Sequence, residues 1–313
     1  MRKICILFGV MLCLCLVSGC GRNLPNKDTE KVKIVATLFP QYDFARQIAK
    51  DKAEVTLLLP PGVESHTFEP TALDIVSINS SDVFLYTGKY MEPWAERIVS
   101  GSLGKEVNVT DVSSGIELMH VEHGDEHDDE HDDDGHDHTY DPHIWLDPNL
   151  AIKMVDNVTK ALCDVDPENE TYYRGNAANY QSELKRLDDR ITHVVQTGKR
   201  KSIVFGGRFA HSYFVKRYNL IYKSAFSGCS AESEPSLKSI SEIIKFISDN
   251  NIPCVYYEEF SEPKVAQSIA SQTGVKLLQF TTAHNVTKDQ LNDGITFMEV
   301  MDKNLENLKI GLD

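Results

Sequence analysis

Seven of the chain's 11 histidines fall between residues 120 and 143, in the stretch HVEHGDEHDDEHDDDGHDHTYDPHIWLDP. From His120 to Asp141 the same stretch holds 11 Asp or Glu and no Lys or Arg. Neutral imidazole ligates zinc, copper and nickel, and carboxylates support borderline and hard cations. His120, His123, His127, His131, His136 and His138 therefore read as an auxiliary metal-binding tract of little fixed geometry. Residues 122–138 include no apolar side chain, so nothing offsets the entropy of ordering them, and a mobile loop outside any core is expected. His127-Asp128-Asp129-Glu130-His131 fits the H-x-x-E-H pattern of inverted zinc proteases, as does His123 to His127. That motif needs a packed helix to orient two ligands and a base, and this segment has no apolar face to pack.

Four further histidines, His66, His143, His211 and His284, have more ordered surroundings. Each lies in a connection: His66 after VTLLLP, His143 just past the tract, His211 after SIVF and His284 after VKLLQF. Ligands of open parallel sheets gather beyond the carboxyl ends of the strands. Four imidazoles at such positions would converge on a cleft between two halves of the chain. His193 sits among polar residues on a helical stretch and is expected to be exposed.

The elements that must position them alternate. KVKIVATL, AEVTLLLP, DVFLYTG and KEVNVTDV read as strands, separated by the helical patterns PQYDFARQIAKD, PTALDIVSINSS and MEPWAERIVSGS. After residue 200 the alternation returns with KSIVF, LIYKSAF, IPCVYYEE and VKLLQF as strands. RFAHSYFVKRYN, PSLKSISEIIKFISDN and PKVAQSIASQTG lie between them as helices, and a last helix is expected from about Thr287 to Leu308. Strands separated by helices in this way make βαβ units. The expected fold is α/β: two similar lobes with mostly parallel sheets, joined by one long rigid helix, with a metal site in the cleft. Asp166 can cap that helix and Pro167 suits its first position. Tyr173, Ala177, Tyr180, Leu184, Leu187, Ile191 and Val194 recur along it at steps of four and three. Some 30 residues would make a rod of about 45 Å.

Composition narrows the class. The formal charge is -15, of which the tract supplies 11 negative charges, and nothing basic clusters. Nucleic acid is therefore not an expected partner. Arg2 and Lys3 precede the apolar or small residues Ile4 to Val17, then Ser18-Gly19-Cys20. A spanning helix needs roughly 20 apolar residues, so 1–19 reads as a signal peptide. Leu16 to Cys20 resembles a bacterial lipoprotein box in which Cys20 takes the lipid, and 20–30 reads as a polar tether. Cys163, Cys229 and Cys254 remain, and one disulfide among them is open. The expected organisation is an N-terminal lobe at 31–150 (with the loop at 120–138), a connecting segment at 151–199 and a C-terminal lobe at 200–313.

PPGVESHTFEPTALDI, YTGKYMEPWAERI, YDPHIWLDPNLA, CSAESEPS and HNVTKDQL resemble the metal-binding lipoproteins that feed zinc or manganese to bacterial ABC importers. The likeness runs from about residue 31 to 310, and HTFEP and DPHIWLDP at this separation are its most specific part. It implies two α/β lobes joined by a rigid helix, a metal held between them, an ABC permease as partner, a lipid anchor in the membrane, a monomer and no catalysis. His66 and His143 match the family's motifs. The third histidine usually begins His-x-Ala-Phe-x-Tyr-Phe; here Arg208 takes its place and His211 that of the Phe. The usual Asp after the last strand falls near Thr281, with His284 three residues on. If residues 208–211 were helical, His211 would share a face with Arg208 and could reach a shifted site. His211, Glu258 or water could complete the shell, Glu258 alternatively as a hydrogen-bond acceptor behind a ligand. Nitrogen-rich ligation favours zinc over manganese. A zinc hydrolase, with an open coordination position and a nearby base, and a surface adhesin with a structural metal are the rival readings.

Overall fold

The computed structural model describes residues 31–101, 103–104, 106–120, 140–226, 235–260 and 262–313. The expected signal, tether and Cys20, the tract histidines 123, 127, 131, 136 and 138, and Cys229 lie outside the described residues.

Within Val32–Asp313, a single compact unit, the first half supplies β1 (Val32–Ala36), α1 (Phe39–Ala49), β2 (Ala53–Leu57), α2 (Ala72–Asn79), β3 (Val83–Tyr86), α3 (Pro93–Gly101) and β4 (Asn108–Asp111). The four strands pair in the order β2-β1-β3-β4, all parallel. The central strands VKIVA and VFLY are almost wholly buried, as expected of parallel strands covered on both faces. Thr71 caps α2, and Asp74 returns a bond to the Thr71 amide at 2.7 Å, which closes a capping box.

A short antiparallel ribbon follows, β5 (Met119–His120) with β6 (Tyr140–Asp141). Asp147 then caps α4 (Pro148–Val165), accepting from the Asn149 amide at 2.8 Å. The long helix α5 runs from Glu170 to Thr197, 28 residues or roughly 42 Å. Its start differs from the sequence reading, because Pro167–Asn169 forms a separate 3-10 turn. Asp166 accepts from the Tyr173 hydroxyl at 2.5 Å and from the Asn169 side-chain Nδ2 at 2.7 Å instead of capping the helix backbone. The buried stripe is Tyr173, Ala177, Tyr180, Leu184, Leu187, Ile191 and Val195. The last position is Val195 rather than Val194, since a 3.6-residue turn carries the stripe four residues beyond Ile191.

The second half repeats the plan with β7 (Ser202–Phe205), α6 (Ser212–Arg217), β8 (Ile221–Ser224), α7 (Leu237–Asn250), β9 (Cys254–Tyr257), α8 (Lys264–Thr273) and β10 (Lys276–Gln279). Its order is β10-β9-β7-β8. In both sheets the first strand lies between the second and the third, so each has its switch point beside its first strand. The expected last helix is two, α9 (Lys288–Asn292) and α10 (Phe297–Leu312). The chain breaks at Gly294, φ +75°, a conformation glycine adopts without strain, and Thr296 caps the restart.

The largest core is shared by both halves. It runs from Ile34 and Phe44 through Leu184 and Leu187 of α5 to Phe205 and Phe297. Smaller cores lie on the outer faces, around Phe84 and Trp94 on one side and Val255 and Ile269 on the other. The long helix packs on α1, α4 and α10 and so ties the two sheets to one foundation.

Candidate metal centre

His143 lies two residues past the end of β6 and is 1% exposed. Asp141 Oδ1 accepts from its backbone N–H at 2.9 Å and from its ring Nδ1 at 2.8 Å. With the proton on Nδ1, the lone pair is on Nε2. Burial raises the Asp141 pKa, but the His143 charge and hydrogen bonds outweigh it and hold the carboxyl below its ordinary range. The backbone is pinned in turn: the Tyr213 hydroxyl donates to the Asp141 carbonyl at 2.8 Å and accepts from the Met119 amide at 2.9 Å. His66, on the loop after β2, places its ring centre 5.3 Å from that of His143. Two imidazoles on one tetrahedral zinc, each with Zn–N near 2.0–2.1 Å, would stand about 5 Å apart by the same measure.

His284 comes from the other half, after β10, and is 5% exposed. Its Nδ1 meets the Thr282 hydroxyl and lies 3.2 Å from Glu259 Oε1. Thr282 donates to the same carboxylate twice, from Oγ1 at 2.6 Å and from its backbone N–H at 2.8 Å. Burial alone would raise the Glu259 pKa, but His284 and Thr282 bring it down to about 2. Burial lowers the His284 pKa, and Glu259 more than reverses this, so the net shift is upward. Two non-glycine residues flanking the pair are left-handed, Phe260 at φ 60° and Ala283 at φ 59°. Such strain costs of order 1–3 kcal/mol per residue and collects at functional sites.

His211 is fully buried and stacks on Phe205, ring centres 4.9 Å apart. Its Nε2 faces the Thr281 carbonyl at 3.4 Å. Burial depresses its pKa to about 4, so the ring is neutral at pH 7. The helical route from Arg208 to His211 is corrected here: α6 begins at Ser212 and both residues precede it. The turn uses Gly206 and Gly207 instead. A Cβ on Gly206 would meet Ala266 Cα at 2.5 Å, and one on Gly207 would meet Glu258 Oε2 at 1.7 Å. Arg208 then points at Glu64, Nη1 to Oε2 3.6 Å.

A seam joins the two histidine-bearing loops. Asn285 Nδ2 donates to the Pro60 carbonyl at 2.8 Å and the Val63 carbonyl at 2.9 Å. Gly62 N–H donates to Val286 O, and Phe39 N–H to His284 O. Trp145 Nε1 donates to the Thr282 carbonyl at 2.7 Å, which links the His143 segment to the His284 segment.

The structure thus brings His66 against His143, and His284 against Glu259. His211 feels the charge of both His143 and Glu259. Among the described residues, no three His, Cys, Asp or Glu side chains already form a closed cage. Two buried imidazole nitrogens have no hydrogen-bond partner, His211 Nδ1 and His284 Nε2. Glu258 is half-buried over Gly207, while its neighbour Glu259 makes the contacts with His284. His120 is exposed at the root of the tract, its ring 4.3 Å from Tyr140. Cys163 and Cys254 are buried free thiols, and His193 is exposed, as expected. Sequence reasoning missed Asp141 and Glu259. Asp141 could have been found from its place two residues before His143; Glu259 had no signal beyond adjacency to Glu258.

A two-lobed α/β chain with buried imidazoles carried on loops of both halves has the build of a metal-binding solute receptor. Residues 34–311 match the family described as zinc-uptake complex component A, periplasmic, and the chain belongs to that family. It is 35% identical to the high-affinity zinc uptake system protein ZnuA of Bacillus subtilis, over 98% of this chain and 97% of that one. It is 31% identical to the zinc-binding lipoprotein AdcA of Streptococcus pneumoniae, over 99% of this chain and 61% of that one, so it spans less than two thirds of AdcA. The Zn(II)-bound ZnuA-like domain of the latter superposes with a TM-score of 0.74 at 29% identity, over 90% of this chain and 99% of that one.

Proposed function

We propose that this protein is an extracytoplasmic receptor that captures zinc and delivers it to an ABC permease, with His66, His143, His211 and His284 as ligands. The observation that carries the reading is the pair of buried nitrogens without hydrogen-bond partners, His211 Nδ1 and His284 Nε2. A buried polar atom left unsatisfied costs about 1–3 kcal/mol, and a cation held between these rings removes that cost. Asp141 and Thr282 with Glu259 hold the Nδ1 side of His143 and His284. This directs Nε2 to the ion and raises its basicity, as partners behind metal-bound histidines do. Nitrogen donors favour zinc over manganese. The family, and the zinc named for the relatives, agree with this choice.

The finer organisation belongs to the same proposal. Residues 31–150 and 200–313 are the two lobes and 151–199 the connection. The histidines of 120–138 gather weakly held metal, and Cys20 carries a lipid that holds a monomer at the membrane. Replacing Cys20 by Ala should move the protein out of the membrane fraction, and retention there after a high-salt wash counts against the anchor.

The receptor reading is tested by metal analysis and chelator competition on the full-length chain purified without added metal. One tightly held zinc per chain is expected. Absence of any tight zinc, or tight manganese in its place, would overturn the assignment.

A further inference from the structure

Arg208, in the turn that leads from β7 to His211, carries a permanent cation across to the other half of the chain. A guanidinium stays charged at every working pH. Its partner, Glu64, comes from the opposite half, on the loop that presents His66. One Glu64 oxygen is 3.6 Å from Arg208 Nη1. The other accepts from the His66 backbone N–H at 3.3 Å. The negative charge of Glu64 also acts on His284. Glu64 therefore stands next to candidate ligands from both halves, with its charge matched by a resident cation.

This ion pair is built to exchange. Its side chains are 27% and 31% exposed, so water reaches both partners and the pair adds little to stability. The loops on either side are not free to drift. Asn285 ties the Pro60–Val63 turn to the His284 segment, and Gly206 is packed on Ala266. The side chains can therefore part without the lobes parting.

We infer that Glu64 and Arg208 form a clasp across the cleft that the cargo cation competes with. The incoming divalent ion draws Glu64 away from Arg208, and Arg208 sets the affinity by holding that carboxylate back. The inference rests on the zinc-receptor reading and adds a residue pair to it. A receptor must release its cargo as well as capture it, and a resident cation that reclaims Glu64 lowers the cost of release.

The test is a double-mutant cycle on the full-length chain, with zinc alone as the probe. Affinity is read by chelator competition and release by stopped-flow transfer to a fluorescent chelator. Charges several ångströms apart still interact appreciably at an effective dielectric near 20, so Arg208→Gln should bind zinc roughly tenfold tighter and release it correspondingly slower. In a Glu64→Gln background the same substitution should change affinity less than about twofold, because the two act as a unit. Glu64→Gln alone should weaken zinc several-fold, and Arg208→Lys should stay close to wild type. Should Arg208→Gln not fold, Glu64→Gln and Arg208→Lys still carry the test. Unchanged or weaker binding by Arg208→Gln overturns the clasp. So does an equal gain in both backgrounds, which would mean that Arg208 repels zinc directly. Wild-type protein without tight zinc would overturn the receptor reading itself, whereas tight zinc with indifferent variants removes only the clasp.

Discussion

Glu259 Oε1 stands 3.2 Å from Nδ1 of His284, and the Thr282 hydroxyl, which donates to that same oxygen, also meets Nδ1. The imidazole is thereby fixed in rotation and tautomer, with Nε2 left buried and without a hydrogen-bond partner. The Glu259→Gln variant keeps the volume but exchanges a buried anion for a neutral amide. Zinc affinity should fall by about 10–100-fold, the usual cost of losing a partner behind a metal-bound histidine. Chelator competition at pH 7.5 would measure it. An affinity within about twofold of wild type would mean that Glu259 serves only the fold.

His211 makes a prediction in pH. Its folded pKa is about 4, below the reference value of about 6.5 that the unfolded chain regains. Between these values the unfolded state binds more protons, so apo stability falls as pH drops from about 6.5 towards 4. By pH 4.5 this single group removes about 2–3 kcal/mol. The His211→Phe variant lacks the titration, while Glu259, His284 and Asp141 remain in both proteins and largely cancel in the difference. The stability gap in favour of Phe should therefore widen by about 2–3 kcal/mol between pH 7 and pH 4.5 in urea unfolding of the apo forms. A gap independent of pH would show that His211 is not held neutral by burial. At pH 7.5 the same variant should bind zinc far more weakly if His211 is a ligand, and normally if it only packs on Phe205.

These particulars show which parts of the protein could be read from residues alone. The strands could, because parallel strands buried on both faces are continuous apolar runs, as in VKIVA and VFLY. The stripe of α5 could, to its last turn. Its start could not, because Asp166 bonds the Tyr173 hydroxyl, seven residues on, instead of capping. His66 and His143, whose ring centres lie 5.3 Å apart, stand in compact sequence motifs. Glu259 could not be read, because its role depends on Thr282 and His284 across 23 and 25 positions of sequence. The reading of residues 208–211 as helix failed on Gly206 and Gly207, whose value is the close approach of Ala266 and Glu258. No periodicity reports such contacts.

Asn285 is 2% exposed, and its amide donates to two carbonyls of the loop that leads to His66. The distance between His66 and His284 is thus set locally as well as by the long helix. Asn285→Ala leaves two carbonyls short of a donor and should cost about 1–3 kcal/mol of apo stability. Zinc release should accelerate more than capture slows, because the loop must now be ordered by the ion. Urea unfolding and stopped-flow release report the two effects separately. A destabilised variant with wild-type release kinetics would confine Asn285 to the fold.

The root of the histidine tract is a ribbon in which Met119 pairs with Asp141 and His120 with Tyr140. Tyr213 secures both strands through the Met119 amide and the Asp141 carbonyl. Asp141 in turn orients His143. The ribbon, not the tract beyond it, therefore does the positioning. Residues 121–139 can then be replaced by Asn-Gly, the pair that best closes a two-residue hairpin. Val121 is the one apolar residue among those exchanged, so the exchange can remove little core. Apo melting should shift by no more than a few degrees, about what 1 kcal/mol produces in a chain of this size. The weaker metal equivalents should disappear while one tight zinc remains, since histidine and carboxylate donors without fixed geometry bind loosely and the site itself is untouched. Equilibrium dialysis at rising zinc concentration distinguishes the two populations. Loss of the tight equivalent in a variant with unchanged melting would place a ligand of the site within the tract.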